Sequence, residues 1–132
     1  MDADSNKRKV RDFLTRGFGE GDLTVVDQVF AEGHILRSPA IGAGEEEGTD
    51  YIKGAIEDIR RDGGEVRCSV EDQIAEGDSV TTSYTLSEDQ GDHMGIMVSH
   101  FTEGKITRSL VVARDVNDGS TEDASTRRKV FN

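Results

Sequence analysis

The sequence predicts an α+β domain in which a curved antiparallel sheet forms a cone closed by three N-terminal helices. Three observations predict it. Apolar residues recur at helical spacing in three segments ahead of Gly63. From Glu65 onward the pattern changes to alternation, in segments separated by short polar turns. The last two segments begin at His93 and Lys105 and flank Glu103-Gly104, where Gly suits the left-handed backbone of a tight hairpin. Helices first and hairpin-linked strands afterwards describe an antiparallel sheet with helices against one face.

Residues 5–18 are expected as the first helix, with Ser5 as N-cap and Val10, Phe13, Leu14 and Phe18 as its apolar stripe. Gly17, Gly19 and Gly21 stop it. Asp22 can cap a second short helix, LTVVDQVF, with Leu23, Val26, Val29 and Phe30 inward, and Glu32-Gly33 breaks it. HILRSP, residues 34–39, is expected as a short strand ended by Pro39. The following IGAGEEEG is a loop. Its Glu45, Glu46 and Glu47 form a solvated charge run, because three consecutive side chains point in different directions. Thr49 or Asp50 opens the third helix, Ile52, Ala55, Ile56 and Ile59 line it, and Asp62-Gly63-Gly64 ends it. Val66, Cys68 and Val70 share a face of the next strand. After the turn at Glu76-Gly77-Asp78, Val80, Thr82, Tyr84 and Leu86 share a face of another. The folded domain is placed at residues 1–116. Residues 117–132 are polar and expected to be a flexible tail, with Val130 and Phe131 able to dock.

The chain has 132 residues, one domain by length. Its net charge is -11, from 27 acidic and 16 basic residues. Such a chain repels nucleic acid and anionic lipid, so neither is expected as a partner. Lys is scarce, five against eleven Arg, and with the acidic surplus this suggests adaptation to a saline cytoplasm. No apolar run reaches the roughly 20 residues of a membrane span, and the N-terminus has no apolar signal core. The lone Cys68 forms no internal disulfide, so a cytoplasmic location is expected.

Three phrases resemble the SnoaL-like polyketide cyclase family, a branch of the nuclear transport factor 2-like and ketosteroid isomerase-like superfamily. They are VRDFLTRGFGEGDLTVVDQVFAEG, VEDQIAEGDSVTTSYTLS and FTEGKI, in the family's order. The resemblance covers residues 8–116. It implies a cone-shaped barrel, a homodimer formed through the sheet, and either acid-base enzymes or non-catalytic binders. Departures accompany it. Arg37 stands where cyclase-like members carry a His, Leu110 where a Trp is common, and EDQGD replaces a His-bearing turn. Asp115 matches the family's acid/base Asp by position.

Enzymes of this fold move protons at carbon next to a carbonyl, which needs a base in an apolar pocket and a donor for the enolate. Asp115 follows Leu110-Val111-Val112-Ala113 and is the candidate base; an ordinary strand-ending ion pair is the other reading. Regular pairing about Glu103-Gly104 sets His100 opposite Thr107 and His93 opposite Arg114. His100 then lies about 26 Å along the strand from Asp115, too far for a dyad. His93 becomes the partner of Asp115 if the register moves by one residue. Arg37, Tyr84, His100 and Leu110 are the expected substrate contacts, with Arg37 favouring an anion if it enters the cone and His100 alternatively in a dimer interface. No His pair has metal-ligand spacing, and no phosphate or dinucleotide fingerprint occurs, so neither metal nor cofactor is expected. The function expected is cyclase- or isomerase-type chemistry on a small apolar or anionic ligand. The alternative is a binding or dimerisation module that kept the cone alone.

Overall fold

The structure, a computed structural model, describes residues 2–39 and 44–116. The expected tail and part of the loop after Pro39 lie outside the described residues. Helix α1 spans Ala3–Asp12 and continues without a break into a π-helical stretch, Phe13–Phe18. Its N-cap is Asp2, whose carboxylate accepts from Asp4 N, and not Ser5. The predicted stripe of Val10, Phe13, Leu14 and Phe18 is buried. Gly17 faces α3 (Asp50–Asp62), where a Cβ would come within 3.3 Å of Ile56 Cδ1. From α3, Arg60 donates to the carbonyls of Phe18 and Gly19 at 3.0 and 2.9 Å, capping that helix end.

Helix α2 is short, Thr24–Val29; its N-cap position is Leu23, and Asp22, one residue ahead, accepts from Thr24 N. Its β-branched composition runs directly into strand β1, Phe30–Arg37, which starts four residues earlier than the expected strand. Strand β2 is the pair Glu46–Glu47. After α3 come β3 (Arg67–Glu76), β4 (Ser79–Glu88), β5 (Gly91–Thr102) and β6 (Lys105–Asp115). They form one six-stranded sheet in the order β2-β1-β6-β5-β4-β3. All neighbours pair antiparallel except β1 and β6, which run parallel. The sheet is curved and unclosed, and the helices lie against its inner face. Lys9 of α1 ties down the β5–β6 turn by donating to Gly104 O at 2.7 Å.

Two bulges set which residues face inward. In β3 the register shifts between Val70 and Asp72, so Gln73 and Ala75 continue the inner face and Ile74 turns out, 64% exposed. In the β5–β6 hairpin the turn is the predicted one, with Glu103 and Gly104 at φ 51° and 84°. The regular pairing lasts only through Phe101 and Ile106. Thr107 is then bypassed, His100 pairs with Arg108, and His93 pairs with Asp115. This corrects the regular register, in which His93 faced Arg114. The inner row of β6 is accordingly Ser109, Val111, Ala113 and Asp115, and the outer row Arg108, Leu110, Val112 and Arg114. Among the described residues no helix is long and apolar enough to cross a membrane.

Candidate functional site

Three neighbouring strands bring three polar side chains together at the end of the inner face remote from the β5–β6 turn. Glu88 ends β4, His93 lies on β5, and Asp115 ends β6 directly opposite His93. All three are buried. His93 Nε2 stands 2.7 Å from Glu88 Oε2, and His93 Nδ1 meets Asp115 Oδ1 on its other edge. The Glu88 side chain is fully enclosed, while His93 keeps 11% of its side chain open. Gly63, just past α3, seals Glu88 from behind: a Cβ there would lie 2.9 Å from Glu88 Oε1. Glu88 Oε1 also accepts Gln90 N at 3.1 Å.

Each ring nitrogen of His93 faces a carboxylate oxygen. A carboxylate buried alone would be costly, and the central His offsets that cost for both. The arrangement can take up or pass on a proton without creating a new isolated charge. It does not form a metal site, because the two ring nitrogens point to opposite sides. Among the described residues no three His, Cys, Asp or Glu side chains converge on one ion position.

Tyr84 lies on the same inner face, its ring folded over Gly95, where a Cβ would come 2.3 Å from Cζ. Gly95 is two residues from His93 on β5, one step along the same inner face. Burial, and secondarily Cys68, push the Tyr84 hydroxyl upward, so it remains a protonated donor. Burial likewise pushes the Cys68 thiol up to about 12, which makes it inert. His34 is fully buried, with Nε2 bonded to Ser109 Oγ. Burial lowers it to about 4, the Gly48 backbone opposing, so its ring is neutral.

The other expected contacts lie elsewhere. Arg37 does not enter the cone. Its side chain is 69% exposed and 3.9 Å from Glu45. His100 and Leu110 are exposed on the outer face, and His100 Nδ1 meets Ser79 Oγ at 2.6 Å. Parity explains this: the even-numbered residues of β5 face outward, and with Thr107 bypassed so do those of β6 from Arg108 onward. The sequence reading missed Glu88, assigning it to a turn. Its parity with Tyr84 and Leu86 was the available signal.

The sequence model of the SnoaL-like domain matches residues 10–109. Solved structures share the fold at low identity. Bal32a, from a soil-derived mobile gene cassette, is 19% identical with TM-score 0.74, covering 95% of this chain and 98% of that one. TsrD from Streptomyces laurentii is 17% identical with TM-score 0.72, covering 86% and 90%. IdmH from Streptomyces antibioticus, a proposed polyketide cyclase, is 15% identical with TM-score 0.70, covering 92% and 97%. No curated protein sequence matches the chain.

Proposed function

The chain belongs to the SnoaL-like domain family, and from that premise we propose that it is a small-molecule enzyme of cyclase or isomerase type working by acid-base chemistry at Asp115. The observation that carries this reading is the buried Glu88–His93–Asp115 group on the inner face. Asp115 takes a proton from carbon next to a carbonyl. His93, held by Glu88, keeps the added proton within the group. The Tyr84 hydroxyl donates to the enolate oxygen. Return of the proton to another carbon gives an isomer; attack of the enolate on a second carbonyl within the same substrate, with that oxygen then protonated, gives a ring. The substrate class is a small, largely apolar carbonyl compound. No cofactor enters this chemistry.

The test is hydrogen–deuterium exchange at the α-carbon of a panel of small cyclic ketones in deuterium oxide, followed by NMR. The native chain accelerates exchange for members of the panel. Asp115→Asn loses about 100-fold or more, the scale of a general base, while His93→Gln loses less. Exchange at the buffer rate for the whole panel overturns the reading.

One observation favours a second reading. Both nitrogens of His93 are already engaged, so the group also works as a lock across three strand ends. A non-catalytic binding module would then lose stability in Asp115→Asn while keeping its ligand affinity.

We also infer a homodimer formed through the outer face of the sheet. Met94, Ile96 and Val112 are each between 45% and 51% exposed there, side by side on β5 and β6. Ile96→Lys combined with Val112→Lys is expected to give a monomer by light scattering; an unchanged dimer places the interface elsewhere.

A further inference from the structure

We propose that a groove on the outer face, distinct from the buried group, binds a small amphipathic carboxylate. The groove has a volume of about 220 Å³ and runs across β1, β6 and β5, and one carboxylate, Glu45, also lines it. Strand register builds it as a grid. Ile35, Arg108 and His100 stand side by side in one row, and Arg37, Leu110 and Val98 in the next. Neighbours in such rows lie roughly 5 Å apart, within reach of one small ligand. Each row supplies apolar surface and positive charge, so a carboxylate on the arginines leaves its hydrocarbon body against Ile35, Leu110 and Val98.

The charge is available. Among the described residues Arg108 makes no ion pair, and the only partner of Arg37 is Glu45 at 3.9 Å, an exposed and weak contact. The chain carries -11 overall, which opposes an anion at long range. At physiological ionic strength the screening length is about 8 Å, so two guanidinium groups in direct contact outweigh remote carboxylates. Guanidinium also matches a carboxylate by paired donors. A phosphate would satisfy the arginines but leave the apolar floor wet. A neutral apolar ligand would cover the floor but gain nothing from them.

The probe is hexanoate, with hexanol as its uncharged counterpart, followed by methyl and backbone NMR of the full chain. Saturable shifts are expected at Ile35, Val98 and Leu110, with hexanol at least about tenfold weaker. Arg108→Gln is expected to weaken hexanoate about tenfold, the scale of one charged hydrogen bond. Arg37→Gln acts in the same direction. Both arginines are exposed on strand faces, and a melting curve confirms that the variants remain folded. Equal binding of hexanol, an unaffected Arg108→Gln, or shifts confined to Tyr84 and Met97 would overturn the proposal. So would binding that vanishes at concentrations where the chain dimerises, since a second copy would then occupy the groove. Asp115→Asn is expected to leave hexanoate binding unchanged, which separates failure here from failure of the catalytic reading.

Discussion

His34 shows how one side chain can tie stability to pH. Its ring is neutral in the fold, lowered from 6.5 to about 4 by burial. Folding therefore favours the unprotonated form. The stability this contributes is fully present above pH 6.5 and is lost as pH falls through 4. A shift of this size corresponds to at most about 3 kcal/mol. His34→Gln keeps a donor for Ser109 and removes the titration. Urea midpoints at pH 7 and 4.5 are expected to converge in the variant relative to the native chain; an equal acid loss in both would assign the effect to other groups. The buried group behaves differently at this scale. Glu88→Ala leaves His93 Nε2 enclosed without its acceptor, and the expected cost is about 1–3 kcal/mol, read from the same denaturation curves.

At the scale of elements, the β5–β6 hairpin shows what a sequence carries and what it does not. The turn was legible because Glu103-Gly104 has few other uses between two apolar arms. The helices were legible because Val10, Phe13, Leu14 and Phe18, and likewise Ile52 to Ile59, occupy one stripe each. The register was not. Leu110-Val111-Val112-Ala113 is apolar on both faces, so alternation cannot say which face is inner. The bypass of Thr107 decides it. That single step put Leu110 on the outer face alongside His100 and set Asp115 against His93. The parallel pairing of β1 with β6 was equally hidden, since nothing local to Phe30–Arg37 specifies a distant partner. Deleting Thr107 tests the geometry. Ile106 and Ser109 still face inward without it, so His93 should remain opposite Asp115, as cross-strand nuclear Overhauser effects would show. Loss of those contacts would mean that the bulge itself holds the pair.

The whole molecule is governed by its charge and its sheet. With 27 acidic residues against 16 basic, self-repulsion opposes folding at low salt. The urea midpoint is expected to rise between 0.1 and 2 M KCl, roughly the range over which screening tightens from about 10 Å to under 3 Å; a midpoint independent of KCl would remove the saline-cytoplasm reading. An unclosed sheet also has edges. β3 is one of them, and a strand there could template the addition of a strand from another molecule. Its bulge at Glu71 breaks the straight run of donors and acceptors that such templating needs. Arg67, Glu71, Asp72 and Glu76 add exposed charge along the same strand. The irregularity that turns Ile74 into solvent therefore also guards against fibre growth, and the chain can display an apolar side chain on its border without inviting its own kind to stack there.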